Sequence, residues 1–382
     1  MKGLKEAAER ILKAITQREK IILFGDADMD GVASVIILEE TIKILKKQNG
    51  SEITVYFPDR EKEGYGINKS ALNFLKDKAP ALFISLDCGI GNVREVKFAN
   101  KLGFEVIIVD HHEVLLELPC ASVIVNPKQK DDNYPFKRLA CASITYKLAR
   151  LLFLQAAKEW RPEEFLVLAM LATLSDQVPL KDENKQLVKQ GMLALNYTKR
   201  PGLRALMEIF SFENLGIEEI FHTLLHPLGS AGTENHLNEA YLFLTETSLK
   251  KTKERAEFLI EKSKEKRIEI KRIFEEVQSR VNDKEAIIFE GDEGWPVALL
   301  GPVASRICQE FKKPTFIFRK YRTESQGSAR IPHSLNLNVV KAMASCRQFL
   351  KIYGGHAPAA GFRVKNENLK NFKECLIEYF GE

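Results

Sequence analysis

Seven Asp and His residues, of types that hold cations, gather in three places in this sequence. Asp26, Asp28 and Asp30 occupy alternate positions, Asp87 stands alone, and Asp110 precedes His111 and His112. Each group follows directly on a short run rich in Ile, Val, Leu and Phe: residues 20–24 (KIILF), 81–86 (ALFISL) and 105–109 (EVIIV). An isolated acid in such a place is more often a turn or a helix cap. A crowd of them is different, because neighbouring carboxylates raise one another's pKa and the cluster destabilises the fold unless a cation neutralises it. Oxygen ligands with one or two imidazoles suit Mn2+ or Mg2+, whereas zinc favours sulfur or more histidine. Two such ions roughly 3.5–4 Å apart serve phosphoryl chemistry, one supplying hydroxide and both stabilising charge on the phosphate oxygens. The pair needs a bridging carboxylate, and Asp87, after a central strand, is placed for that.

Two further β-like runs are 52–57 (EITVYF) and 122–126 (SVIVN), and apolar residues at helical spacing separate the runs, as Val32, Val35, Ile36, Ile42 and Leu45 do. This alternation predicts an α/β fold, a parallel sheet with helices on both faces. Ligands of such sheets bind at the carboxyl ends of the strands, so the acids and histidines would share one rim. From about residue 140 to 241 the pattern turns helical, as in 143–157 and 163–174. Residues 249–281 read as one long helix. Of the 23 residues at 250–272, ten are basic and five acidic, beside a thin apolar stripe of Ala256, Leu259, Ile260, Phe274 and Val277. Such a helix suits a connection between domains; its charged face is a solvated surface or a basic wall beside nucleic acid, the first being the commoner case. The β pattern returns at 285–290 and 314–318, with a helix at 302–311 between them and a glycine-rich ending at 353–362. The expected domains are a catalytic domain over 1–245, mostly helical from about 140, a connecting helix over 246–283, and a smaller α/β domain over 284–382.

A chain of 382 residues exceeds what one core usually serves, and 45% hydrophobic with 29% charged residues excludes a disordered or fibrous protein. The first 20 residues lack the apolar core of a signal peptide, and runs such as 165–174 are too short to span a bilayer. A cytoplasmic protein without a membrane partner is expected. The six cysteines form no Cys-x-x-Cys pair, so they read as small buried hydrophobes in a reducing compartment, neither a zinc knuckle nor a disulfide framework. A net charge of +5 allows an anionic partner without demanding one.

With these residues in view a resemblance emerges. Residues 25–34 (GDADMDGVAS) resemble the first motif of the DHH family in its RecJ-like form, 87–89 (DCG) resemble the next metal motif, and 109–112 (VDHH) match the signature that names the family. Residues 174–180 (LSDQVPL) resemble a later aspartate motif, and Asp59-Arg60 followed by 64–66 (GYG) resembles another segment of the RecJ branch. The resemblance implies metal ligation by Asp28, Asp30, Asp87, His111 and Asp176, although Asp176 taken alone would read as a helix cap. Asp26 joins that set, standing where many relatives carry histidine. Asp110 would orient the site and His112 would contact the phosphate and stabilise the transition state. Arg60 would reach a backbone phosphate or pair with an acid.

Residues 354–356 (GGH) with 359–361 (AAG) resemble the glycine-rich motif of the DHHA1 domain, which implies phosphate binding by Gly354, Gly355 and His356. Residues 326–330 (QGSAR) resemble another element of that domain, with Ser328 and Arg330 holding a substrate phosphate. Residues 301–306 (GPVASR) resemble its RecJ form, where Arg306 would contact DNA or close a salt bridge within the domain. The family implies a two-metal phosphodiesterase with Mn2+ or Mg2+, acting on single-stranded nucleic acid, DNA ahead of RNA, from the 5′ end to give 5′-mononucleotides. Its setting would be DNA repair or recombination, with replication or repair proteins as partners. Two departures stand out: residues 227–233 (PLGSAGT) replace a segment in which relatives carry a basic contact, and no further OB-fold is expected in the roughly twenty residues after the glycine motif. The alternatives are a hydrolase of oligoribonucleotides or cyclic-dinucleotide products, and an inactive replication scaffold.

Overall fold

The apolar runs that precede the acids form adjacent strands in the computed structural model, which describes residues 1–46, 50–114, 117–211, 216–282, 284–335 and 337–381. The expected domain boundary at 283 and the chain's last residue, 382, lie outside the described residues. Five parallel strands, β1 (Ile21–Gly25), β2 (Ile53–Tyr56), β3 (Ala81–Leu86), β4 (Phe104–Val109) and β5 (Val123–Val125), lie in the order β2-β1-β3-β4-β5. Successive side chains point to opposite faces, so each central strand feeds two cores. Ile21, Leu23, Leu82, Ile84, Leu86, Ile107 and Val109 enter one; Ile22, Phe24, Phe83, Val106 and Ile108 enter the other. That is why these runs are continuously apolar rather than alternating. The first core is closed by helices Leu4–Gln17, Met29–Leu45, Cys141–Gln155 and Glu163–Ser175, the second by Lys69–Leu75 and Val93–Lys101. Helices therefore cover both faces, as the sequence pattern predicts.

Strand order fixes where a ligand goes. The chain runs from β1 outward to β2 and then crosses to β3 on the other side of β1. That reversal opens a crevice at the carboxyl ends of β1 and β3, which carry Asp26, Asp28 and Asp87. The short hairpin β6 (Thr233–Glu234) and β7 (Leu237–Asn238) reaches the same rim, where Asn238 Nδ2 donates to the Ala27 carbonyl at 2.9 Å.

The chain divides into two compact units, Met1–Ser263 and Lys264–Glu382, and the division falls inside the single helix Leu249–Arg280. In the second unit β8 (Ile288–Asp292), β9 (Thr315–Lys320), β10 (Glu324–Arg330), β11 (Leu350–His356) and β12 (Ala359–Lys365) lie in the order β11-β12-β10-β9-β8. Only β8 and β9 pair in parallel among these described strands. The helix expected at 302–311 begins at Val297, with Pro302 inside it. Leu299, Leu300, Val303, Ala304 and Ile307 are all buried, and their packing outweighs the backbone hydrogen bond that proline forfeits. The cysteine reading needs correction. Cys346 and Cys375 form a disulfide joining the helix end at Ser345 to the helix Leu369–Gly381, and Cys120 is exposed; only Cys88, Cys141 and Cys308 are free and buried. Among the described residues no helix is long and apolar enough to cross a membrane.

Candidate metal centre

The motif after β1 is built to present carboxylates. Asp28 caps the helix Met29–Leu45, its Oδ1 accepting from the amides of Asp30 at 3.0 Å and Gly31 at 3.1 Å. A Cβ at position 31 would collide with the backbone of Asp26, so the turn requires glycine there. Asp30 points the other way, into the protein. Its two oxygens each accept at 2.7 Å from the amides of Cys141 and Ala142, the first turn of the helix Cys141–Gln155. A helix N-terminus favours an anion, which holds this carboxylate in place.

Asp87 leaves β3 with φ 64, a left-handed conformation that Asp tolerates better than most residues. Its backbone amide is bracketed by Val109 O at 3.0 Å and Cys141 Sγ at 3.1 Å, while the Cys141 thiol donates to Val109 O at 3.1 Å. After β4, Asp110 accepts from the amides of Ile90, His111 and His112 and from His112 Nδ1 at 2.7 Å. Burial opposes its charge, but His112 outweighs burial and holds the carboxyl far below the usual range. His112 is raised in turn, the Asp110 charge overcoming desolvation.

His111 is almost fully buried, and its Nδ1 meets the Leu139 carbonyl at 2.8 Å. A carbonyl only accepts, so Nδ1 carries the proton and the neutral ring turns the Nε2 lone pair elsewhere. Nε2 lies 3.2 Å from Asp87 Oδ1 and 3.5 Å from Asp30 Oδ2. Burial pulls the pKa of His111 well down, so the ring resists taking up a second proton beside these acids. Burial and mutual repulsion push the carboxyls of Asp30 and Asp87 well above their ordinary range. Asp87 Oδ1 is buried and accepts no hydrogen bond from the described residues. A lone pair, crowded acids and an orphaned oxygen facing one point are what a divalent cation satisfies, and the donor set of carboxylates with imidazole fits Mn2+ or Mg2+.

Ligand-type atoms cluster within 4.8 Å of one another in Asp30, His111 and Asp176, and likewise in Asp26, Asp28 and Asp87. Asp87 belongs to the second cluster and touches His111 of the first, which is where a bridging carboxylate must stand. Asp176 takes its place as the residue that ends the helix Glu163–Ser175, its Oδ2 3.8 Å from His111 Nδ1. The cap reading and the ligand reading of Asp176 thus describe one position.

Arg60 pairs with acids. Its Nε lies 3.0 Å from Asp26 Oδ1, and its Nη2 lies 2.5 Å from Asp26 Oδ2 and 3.0 Å from Asp28 Oδ2. Burial pushes the Asp26 carboxyl up and Arg60 pulls it back; on the more exposed Asp28, Arg60 and the Gly31 amide prevail over desolvation and the pKa falls. Both Asp26 oxygens accept from the Arg60 guanidinium. Tyr65 was legible only as part of a motif. Gly64 and Gly66, at φ 84 and 77, fold it over the site, with its hydroxyl 3.3 Å from the Asp87 carbonyl and from both ring nitrogens of His112.

The remaining sequence candidates lie in the second unit. Arg330 donates through Nε to Ser305 Oγ at 2.9 Å and through Nη1 to Ser328 Oγ at 2.7 Å. Gly301 leaves room for that guanidinium, since a Cβ there would sit 3.0 Å from Nη2. The Arg306 guanidinium lies 4.3 Å from the centre of the Phe274 ring, a cation–ring contact within the second unit. Gly354, Gly355 and His356 end the edge strand β11, and Gly355 has φ 141 with the backbone of Ala359 and Ala360 against it.

Residues 20–173 match the DHH family, N-terminal domain, and residues 279–382 match the DHHA1 domain. The chain is 35% identical to the single-stranded-DNA-specific exonuclease RecJ of Bacillus subtilis (strain 168) across 99% of its own length, and spans 48% of that protein. It superposes on the crystal structure of exonuclease RecJ bound to manganese with a TM-score of 0.79 and 25% identity, covering 100% of this chain and 95% of the other. On RecJ in complex with Mn2+ from Thermus thermophilus the TM-score is 0.83 at 24% identity, covering 100% of this chain and 55% of the other.

Proposed function

We propose that the chain, which carries DHH and DHHA1 family domains, is a metal-dependent phosphodiesterase that removes nucleotides from single-stranded DNA. The observation that carries the reading is the position of Asp87, between the Asp26–Asp28 carboxylates and His111, with a buried oxygen that accepts no hydrogen bond from the described residues.

Asp30, His111 and Asp176 would hold one Mn2+ or Mg2+ ion and Asp28 the other, with Asp87 shared. When bound, such a pair lowers the pKa of water to give a nucleophile and neutralises charge on the phosphate. The protein's own residues do the rest. The Cys141 and Ala142 amides fix Asp30, and the Leu139 carbonyl fixes the tautomer of His111. Asp110 keeps His112 protonated on Nδ1 and charged further up the pH scale than a free imidazole, so His112 can donate to a phosphate oxygen as charge develops. Tyr65, whose hydroxyl lies 3.3 Å from the His112 ring nitrogens, would reach the same oxygen. Arg60 balances Asp26 and so keeps the rim from repelling an anionic substrate. In the second unit Arg330, held by Ser305 and Ser328, would clamp a substrate phosphate, and Gly354, Gly355 and His356, on the edge strand β11, would contribute to the same binding. A DNA substrate gives the protein its setting, repair or recombination in the cytoplasm, with repair proteins as partners.

The test is direct. Purified protein with Mn2+ receives end-labelled single-stranded DNA, single-stranded RNA and dinucleotides, beside Asp87→Ala. Mononucleotides released from DNA starting at the 5′ end, and abolished in the variant, are expected. Preference for dinucleotides or short RNA would move the substrate to oligoribonucleotides; no hydrolysis with any divalent metal would leave a scaffold.

A further inference from the structure

We infer that Asn184 is a positioning residue for the proposed metal centre, its buried side-chain amide tying together the two loops that aim His111 and Asp176. The inference rests on the metal-dependent reading above and adds a residue that touches neither ion nor substrate.

Asn184 lies in the first turn of the helix Asp182–Leu195 and is fully buried. Its Nδ2 donates to the carbonyl of Arg138 at 2.7 Å and to that of Pro179 at 3.0 Å. Carbonyls only accept, so the nitrogen must face them, and both of its hydrogens are spent. Arg138 immediately precedes Leu139, whose carbonyl meets Nδ1 of His111 at 2.8 Å. Pro179 lies three residues after Asp176, on a segment that leaves its helix through Gln177 at φ 53. One amide thus joins the support of an imidazole ligand to the support of a carboxylate ligand.

The residue is unsuited to packing alone. Its Oδ1 is buried and accepts no hydrogen bond from the described residues, which destabilises the fold and which leucine, of similar size, would avoid. What only asparagine supplies is the pair of N–H donors that clamps two carbonyls. Ligand geometry tolerates displacements of only about 0.5 Å, so a loose clamp would show in metal affinity. The effect is also selective. Asp176 and His111 cluster with Asp30, whereas Asp26, Asp28 and Asp87 form the other group, which Asn184 does not support.

The full chain, as wild type, Asn184→Asp and Asn184→Ala, is titrated with Mn2+ by calorimetry and by the electron paramagnetic resonance signal of free Mn2+. Circular dichroism identifies which variants are folded; alanine serves if the buried charge of aspartate prevents folding. Wild type should bind two equivalents. In a folded variant one equivalent should weaken about tenfold or more, the usual effect of losing an outer support, while the other is unchanged. The Mn2+ concentration for half-maximal hydrolysis should rise in step, with KM for DNA unchanged and kcat restored at high Mn2+. Wild-type affinity at both sites, or equal weakening of both, overturns the inference while leaving the metal centre standing. Absence of Mn2+ binding in the wild type overturns both.

Discussion

Replacing Asp87 with asparagine should stabilise the protein without metal and remove most of its stabilisation by metal. Asp87 is 1% exposed, its Oδ1 accepts no hydrogen bond from the described residues, and it shares its surroundings with Asp26, Asp28 and Asp30. An unsatisfied buried polar atom costs about 1–3 kcal/mol, more when charged. Asparagine keeps the shape, drops the charge and offers an N–H to the neighbouring carboxylates, so metal-free Asp87→Asn should gain roughly that amount. For a unit of this size each kcal/mol moves the thermal midpoint by roughly 2–4 °C, so the rise is several degrees. Mn2+ reverses the order. A ligand at a hundredfold its Kd stabilises the folded state by about 2.7 kcal/mol per ion, and the variant should lose most of that because the shared carboxylate is gone. Thermal melts with EDTA and with Mn2+ read both quantities, and hydrolysis of single-stranded DNA should vanish in the variant. A variant that melts below wild type in EDTA and gains as much from Mn2+ would refute the reasoning, since Asp87 would then be a satisfied structural acid.

Three further outcomes follow from the contacts. Cys141→Ala removes the thiol between the Asp87 amide and the Val109 carbonyl and should lower stability by about 1–3 kcal/mol in urea denaturation, with Cys141→Ser milder because a hydroxyl can bridge the same groups. Asp132 accepts from the amides of Lys2 and Tyr134 and pairs with Lys137, and although burial opposes its charge these partners lower its pKa. A lowered folded pKa means that its stabilisation is present above the unfolded value of about 3.9 and is lost as pH falls through the folded one; Asp132→Asn should therefore be less stable at pH 7 and flatten the acid limb of a denaturation series from pH 7 to 3. The Cys346–Cys375 bond closes 29 residues, so reduction with dithiothreitol should destabilise the second unit by about 3–4 kcal/mol on the chain-entropy estimate, read as an earlier melt that the double serine variant reproduces.

The first unit was legible because two signals coincide there. Runs such as 20–24 and 81–86 are apolar on both faces, which only a buried parallel strand requires, and each ends on an acid whose place at the rim follows from chain direction. The second sheet was harder to read. β10 has the sequence ESQGSAR, without a β-branched or aromatic residue, and is a strand because β9 and β12 flank it with Phe316, Phe318 and Phe362. The disulfide left no trace either, since its cysteines stand far apart in sequence and meet only after β11 and β12 fold back. Within the site, the metal-type residues announce themselves by chemistry. Their supports do not: Cys141 and Asn184 matter for two hydrogen bonds each, to backbone groups that sequence cannot place beside them. Arg60 left two readings open, and its pairing with Asp26 depends on the chain after β2 returning to β1.

Crystals grown with Mn2+ and measured at the manganese absorption edge would locate the ions without reference to activity. Two anomalous peaks about 3.5–4 Å apart are expected, one among Asp30, His111 and Asp176, the other beside Asp28, with the Asp87 carboxylate between them. A rim without anomalous density, with Asp87 turned away from His111, would contradict the two-metal centre and with it the proposed hydrolysis.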